Sequence, residues 1–375
     1  MSSMRIYSSF DELPPEAARL FDEAGAQCFF HGLPWYRTFV NYALDPGDRV
    51  RIYCVTPPDS NDAPQAALAA LWKEQASGIR QVRKLSSLSS YYTSLFSPVL
   101  DRAAGARAAA ELARAVAKDS SPCDVVELKP LDVNAPAFHS LVEGFEAAGF
   151  VVQTYFCFGN WYLAVNGRSF AQYLDRLPSA LKNTLTRKRK KLERSGRAKI
   201  EVVTGGAALE AAIAAYRNVY LASWKQPEPY PEFIPALMRT CAEMGWLRLG
   251  LVHIDRKPAA AQFWIVQNGV ASIYKLAYDE RFADFSAGSI LTAKLMEHVL
   301  DVDKVREVDY LTGDDKYKRD WMSHRRERWG ILAMNPRTLR GALAIVRHVG
   351  GRAVKRALLA LAGRAPKTQG VPRPA

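Results

Sequence analysis

Residues 271–318 read ASIYKLAYDERFADFSAGSILTAKLMEHVLDVDKVREVDYLTGDDKYK, and the rest of the chain is organised around them. The stretch predicts a strand over 271–278, a charged loop, a Ser-Ala-Gly-Ser turn opening a helix over 287–300, a second strand over 305–311 and a Gly-Asp-Asp-x-Tyr-Lys tail. A turn of small residues at a helix start leaves backbone N–H groups free, with the positive end of the helix dipole behind them. Such a place holds an anion, a pyrophosphate for example. The plain alternative for residues 286–289 is an ordinary N-cap.

Working outward, strands are expected over 246–253, 258–266 and 270–278, joined by Asp255-Arg256-Lys257 and by the hairpin signal Gln267-Asn268-Gly269. Ahead of them come a strand (199–203) and two helices (207–224 and 233–244) separated by the Pro-rich QPEPYPEF; a last strand follows over 327–333. The N-terminal part predicts helices over 11–23 and 35–42, then hairpin strands over 49–56 and 65–73. The hydroxyl- and aromatic-rich SSLSSYYTSLFSPVL (86–100) reads as a β segment and loop that lines a pocket or is simply buried. A helix (103–118), a strand (124–131), a helix (135–148) and strands over 150–158 and 161–165 complete this part. Strands and helices in this order give an α/β fold with a mixed sheet. Two domains of related architecture, 1–165 and 166–334, precede a basic amphipathic tail, 335–375.

The composition, 49% hydrophobic and 24% charged over 375 residues, is that of a globular protein. The N-terminus lacks the apolar core of a signal peptide and no apolar run of membrane-spanning length occurs, so a cytoplasmic protein is expected. Five cysteines, odd in number and without a CxxC pair, read as reduced core residues, and six histidines show no metal-ligand spacing; no metal is expected.

The net charge of +13 is uneven. Residues 179–200 carry +8 and residues 335–375 carry +9, which leaves −4 elsewhere and excludes a uniformly basic DNA-binding domain. In KNTLTRKRKKLERSGR (182–197), Leu185 and Leu192 mark a packing stripe, and Arg187, Lys188 and Lys191 are candidates to hold phosphates of donor or acceptor. In the tail, Leu339, Leu343, Val346, Val354, Leu358 and Leu361 recur at helical spacing among arginines and lysines. That pattern fits either a docked helix pair or peripheral contact with an anionic membrane.

Three segments in order, LPSALKNTLTRKRKKLERSG, the core from GWLRLGLVHIDRKPAAAQFW to LTAKLMEHVL, and VDYLTGDDKYKRDW, resemble the GNAT superfamily of acetyltransferases, in the group that includes Fem-type peptidoglycan aminoacyltransferases and CelD-like proteins. The resemblance covers residues 177–321. The LPWYRTF and SSYYTSLFSPV segments resemble the partner domain of the tandem Fem-type arrangement, and Trp35, Tyr91 and Tyr92 are placed there on the acceptor side. The resemblance implies an acyl-CoA lying between two splayed central strands, with the thioester carbonyl on the backbone of Leu276, Ala277 and Tyr278. Its pyrophosphate would meet Ser286, Ala287, Gly288, Ser289 and Ile290. The usual GNAT loop carries more glycines, and this one has only Gly288.

Acyl transfer to an amine needs a deprotonated nucleophile, stabilisation of the tetrahedral oxyanion and a proton for the leaving group. Candidate groups cluster around the same loop: Asp279, Asp309, Tyr317 and Lys318. The resemblance implies that Tyr317-Lys318 corresponds to an aromatic-lysine pair whose lysine stabilises the reacting carbonyl. The expected function is therefore acyl-CoA-dependent N-acylation, acetyl above all, of a small or sugar-linked acceptor in cell-envelope or exopolysaccharide metabolism. Two alternatives are Fem-type transfer from aminoacyl-tRNA to a peptidoglycan precursor and a non-catalytic membrane-associated scaffold.

Overall fold

A computed structural model describes residues 2–58, 63–77, 80–119 and 121–350. The chain forms two compact units. One comprises Met1–Val40, Leu44–Phe158 and the chain from Glu327; the other comprises Asn41–Ala43 and Gly159–Arg326.

The first unit runs β1 (Ser3–Tyr7), α1 (Pro15–Gln27), α2 (Leu33–Tyr42), β2 (Arg49–Thr56), β3 (Ala66–Ser77), β4 (Arg80–Ser87), β5 (Val99–Leu100), α3 (Gly105–Ala117), β6 (Val125–Asp132), α4 (Pro136–Ala147) and the start of β7 (Val151–Ala164). In its sheet β1, β2, β3 and β4 pair antiparallel in sequence order, β4 pairs β6 in parallel, and β5 adds to β3. The helices supply apolar faces to this sheet; on α3 the buried Ala108, Ala109, Leu112, Ala113 and Val116 form one stripe at helical spacing.

The second unit takes the end of β7 and runs α5 (Phe170–Asp175), α6 (Ser179–Ser195), β8 (Ala198–Val203), α7 (Leu209–Leu221), α8 (Phe233–Glu243), β9 (Leu247–Ile254), β10 (Lys257–Gln267), β11 (Val270–Tyr278), α9 (Ala287–Asp301), β12 (Glu307–Asp309) and α10 (Lys316–Trp321). β8, β9, β10 and β11 are antiparallel neighbours, β12 joins β11 in parallel, and residues 162–164 of β7 pair antiparallel with β12. The chain then enters β13 (His324–Met334) and α11 (Leu339–Ile345). Residues 328–334 of β13 pair with β6, inside the first unit.

Apart from the inserted α5 and α6, the two units repeat one order of elements: a strand, two helices, three antiparallel strands, a helix, a parallel strand, a helix and a strand. The final strand of each repeat completes the sheet of the other unit. The boundary expected near residue 165 thus lies after Phe158, and the strand expected to close the second domain at residue 333 belongs to the first. Its partner, β6, lies some two hundred residues back, which local patterning does not reveal.

The mixed α/β architecture expected from the sequence is observed. β1 and most of β4 were not expected, and of the 86–100 segment Ser86 and Ser87, which end β4, and Val99–Leu100 are strand. Residues 150–165, expected as two strands, form the single β7.

α9 is the helix that matters for the site. Leu291 and Leu295 are fully buried, a contribution of about 1.5–3 kcal/mol each. They reach the sheet because Gly250 on β9 has no side chain: a Cβ there would lie 2.8 Å from Leu295 and 2.9 Å from Leu291. Of the tail, Leu339, Leu343 and Val346 are exposed; Val354, Leu358 and Leu361 lie outside the described residues. All five cysteines are free.

Candidate active site

β11 and β12 pair over three residues only, Val270 with Glu307, Ala271 with Val308 and Ser272 with Asp309. β11 then continues six residues further, held on its other side by β10 up to the Ala260–Tyr278 pair. Between the pairs Phe263–Lys275 and Trp264–Ile273 the register skips Tyr274, a bulge. Bulges bend a strand, and this one sits where β11 parts from β12. Beyond β12 the chain turns away through Leu311 (φ 54°) and Gly313 (φ 105°). Residues 273–278 therefore present backbone N–H and C=O groups, those of Leu276, Ala277 and Tyr278 among them, toward a side where no described strand pairs with them.

The loop after β11 leads straight to the start of α9. Asp279 caps it, accepting from the Arg281 amide at 3.0 Å and pairing with the Arg281 guanidinium. Ser286 is left-handed (φ 53°) and its side chain makes no capping bond. The first N–H groups of α9, on Ala287, Gly288 and Ser289, thus receive no side-chain cap from Ser286. A Cβ at Gly288 would meet only the Tyr278 ring, at 3.4 Å.

Buried Gln262 on β10 anchors this helix start. Its Nε2 donates to the Gly288 carbonyl at 2.9 Å and to Thr292 Oγ1 at 2.8 Å, while its Oε1 accepts from Trp264 Nε1 at 2.9 Å. A lone glutamine inside the apolar AAAQFWIV was its only sequence signal. Gln262→Leu is expected to lower stability by about 1–3 kcal/mol, because it strands the Trp264 donor and frees the helix start. Chemical denaturation measures it, and an unchanged midpoint would show that the anchor is dispensable.

α6 brings charge to the same loop. Its Leu185 and Leu192 are buried, as their spacing predicts. Lys188 Nζ donates to the Asp284 carbonyl at 2.6 Å, and Lys191 and Arg197 lie 6.0 and 5.7 Å from the centre of the Phe285 ring. Arg187 is exposed and makes no described contact with the loop. A cavity of about 480 Å³ opens between α5, α6 and α9, walled by Leu174, Leu185 and Ile290 with Arg189, Lys190 and Lys294 also lining it.

Tyr317 and Lys318 lie on α10, which follows the turn after β12. Lys318 is 5% exposed. Its Nζ donates to the carbonyls of Thr312 and Gly313, pairs with Asp315 at 3.3 Å and sits 5.4 Å from the Tyr310 ring centre. Burial pushes this ammonium below the ordinary lysine range, against the pull of Asp315. Tyr317 packs edge-on against Tyr310 at 5.7 Å, and burial together with the Asp315 charge moves its hydroxyl up to about 12.

Residues 179–319 match the family described as Acetyltransferase (GNAT) domain. Over the greater part of the chain the backbone also matches the crystal structure of FemX, at a TM-score of 0.57 and 10% identity, covering 88% of this chain and 96% of that one. The chain has the fold of FemX, and the part of it over residues 179–319 is a GNAT-type domain. A conserved protein of unknown function from Bacteroides thetaiotaomicron matches at a TM-score of 0.50 and 10% identity, over 80% of this chain and 90% of that one. A tandem GNAT protein from the clavulanic acid biosynthesis pathway is 13% identical, covers 90% of this chain and 100% of its own, and has a TM-score of 0.48. Comparison with curated proteins found no significant match.

Within the GNAT domain, the two carboxylates expected to do chemistry are bound up in structure. Asp279 is 1% exposed, and the Arg281 guanidinium holds its carboxyl below the usual carboxylate range. Asp309 accepts from Asn160 Nδ2 at 2.5 Å, from the Leu311 amide at 2.7 Å and from Arg326 at 2.6 Å. In the first unit Trp35 and Tyr92 are buried, Trp35 within a cluster with Phe29 and Phe30, and only Tyr91 of the expected acceptor-side aromatics reaches solvent. Sequence reasoning missed Trp224, whose ring lies 4.6 Å from that of Tyr278, and Glu228, which pairs with Lys275 at 2.7 Å. Trp224 stands at the end of the helix expected over 207–224 and Glu228 in the Pro-rich break, so nothing local marks either.

Proposed function

We propose that the protein is an N-acyltransferase that moves an acyl group, acetyl in the simplest case, from acyl-CoA to an amine of a small or sugar-linked acceptor, in cell-envelope or exopolysaccharide chemistry. The observation that carries the reading is the edge of β11 at Leu276–Tyr278, beyond its pairing with β12, leading directly into the start of α9. The edge offers N–H groups to a thioester carbonyl and pantetheine amides, and the helix start offers N–H groups and dipole to a pyrophosphate. Lys188 and Lys191 add positive charge beside that loop. Lys318, held by the turn after β12 at the gap where β11 and β12 part, is suited to the developing oxyanion.

No Cys or Ser sits in a nucleophile motif of the sequence, and four of the five thiols are held protonated. Burial raises the thiols of Cys54 and Cys123 to about 12 and that of Cys157 to about 11, and moves Cys241 the same way. Direct attack by the acceptor amine in a ternary complex follows. Calorimetric titration with acetyl-CoA is the test: binding is expected, and neither heat nor a thermal shift at millimolar ligand would sink the donor assignment.

The likeness in fold to FemX favours a second reading, an aminoacyl-tRNA donor. It predicts charged-tRNA binding that weakens steeply with salt, without acetyl-CoA binding. The exposed Leu339, Leu343 and Val346 beside Arg340 and Arg347 support adding peripheral membrane contact to the proposal. Flotation with phosphatidylglycerol vesicles tests that part, and Leu339→Glu/Leu343→Glu should release the protein. Among the described residues no helix is long and apolar enough to cross a membrane.

A further inference from the structure

Where β11 ends, several charged side chains without a part in the scheme above gather near Lys318. Lys275 and Glu228 form an ion pair whose side chains are 10% and 7% exposed. Lys318 on α10 and Asp315, the residue before that helix, form a second pair. Lys225, just past the end of α7, lies within electrostatic reach of all four. Unlike the other two lysines, its ammonium has no hydrogen-bond or ion-pair partner among the described residues. It faces the rings of Tyr220 and Trp224, each centred 5.9 Å away. Trp224 in turn lies against Tyr278, the last residue of the strand that borders the gap. The side chain is therefore held at the gap by rings, with nothing to share its proton.

We propose that Lys225 is the general base of the transfer, accepting the proton from the acceptor amine. The assignment rests on the acyl-CoA reading above. In the step, the acceptor ammonium gives one proton to neutral Lys225 Nζ. The freed lone pair on nitrogen forms the C–N bond at the thioester carbonyl, the C–S bond breaks, and a second proton from nitrogen leaves with the sulfur as coenzyme A thiol. Lys225 then returns its proton to water.

Its surroundings suit the task. A base works best when its pKa lies near the working pH. Burial, and next to it the positive charge of Lys275, lowers Lys225 to about 8; Lys318 adds to the lowering, while Glu228 and Asp315 pull the other way. Lys275 and Lys318 are each tied to a carboxylate, which keeps their protons in place. Among the groups facing the gap, the carboxylates Asp279 and Asp309 are occupied by arginines.

The test reads the amine itself, apart from any turnover. The full-length protein is reductively ¹³C-methylated and titrated by NMR, with Lys225→Met identifying the resonance. A midpoint near 8 is expected, and one above 10 overturns the assignment whatever acetyl-CoA does. With acetyl-CoA and glucosamine as amine probe, the wild-type rate should rise tenfold per pH unit up to about pH 8. Lys225→Arg should keep acetyl-CoA affinity in calorimetry while losing about 10²–10⁴-fold in turnover; unchanged turnover in that variant also overturns the assignment. Mass spectrometry after incubation with acetyl-CoA alone should find Lys225 unmodified, since an amide there would make it an acceptor. Absence of acetyl-CoA binding beside a midpoint near 8 would instead remove the donor, and the reaction with it, while leaving the titrating amine as measured.

Discussion

Arg326→Met is expected to cost about 3 kcal/mol of stability, the lower end of what losing one partner of a buried ion pair costs. The guanidinium bridges Asp309 at 2.6 Å, Glu307 at 2.7 Å and Asn160 Oδ1 at 2.7 Å, and lies 4.4 Å from the centre of the Tyr162 ring. Burial works against its charge, but the two carboxylates outweigh that and hold its pKa above the ordinary value. With methionine there, Asp309, 6% exposed, would keep a charge with no counter-ion. Glu307 is about a quarter exposed and can turn to water, which is why the lower figure applies. In a unit of this size the loss corresponds to a drop in Tm of roughly 6–12 °C. Adding Asp309→Asn and Glu307→Gln should restore much of the loss by removing the stranded charges. If the single variant melted like the wild type, the network would be ornamental.

Lys318→Met is expected to reduce acyl transfer by about 10²–10³-fold, the usual effect of removing one donor aimed at an oxyanion. Methionine fills the same volume, so the buried site stays packed, and the cost to stability should be only ~1–2 kcal/mol for the Thr312 and Gly313 carbonyls left without their donor. The fall should appear in kcat, with acetyl-CoA affinity by calorimetry within a factor of a few of wild type. Equal loss of affinity and turnover would mean that Lys318 shapes the gap and does not act on the carbonyl. The two substitutions are linked, because Asp309 fixes the Leu311 amide at the head of the turn whose carbonyls hold Lys318. Arg326→Met is accordingly expected to lower turnover in the fraction that stays folded.

Local signals gave the elements around the gap. The hairpin between β10 and β11 was legible because Asn268 and Gly269 tolerate the left-handed backbone they adopt, with φ of 48° and 68°. Leu185 and Leu192 marked the packed stripe of α6, and the small residues at 286–289 marked the start of α9. What escaped depends on distance along the chain. β4, RQVRKLSS, carries too many charges to read as a strand and exists through its pairing with β3 and β6. Asp309 looked like a free carboxylate because its partners, Asn160 and Arg326, are 149 and 17 residues away. Lys225, Glu228 and Lys275 come together only once α7 and β11 are packed, and the bulge at Tyr274 has no residue that announces it.

The exchanged final strands bear on how the gene can be divided. A fragment of residues 166–334 would carry β13 without β6 and would leave β12 with one edge bare, since residues 162–164 supply its partner. The complementary piece, 1–165, would leave β6 open in the same way. Bare strand edges invite pairing between copies, so each half alone is expected to aggregate, while the halves expressed together have the means to complete each other. Gly159–Arg326 is a contiguous piece that keeps β8 to β12 together with the residues of β7 that pair with β12. It is the piece to isolate for donor binding without the rest of the chain.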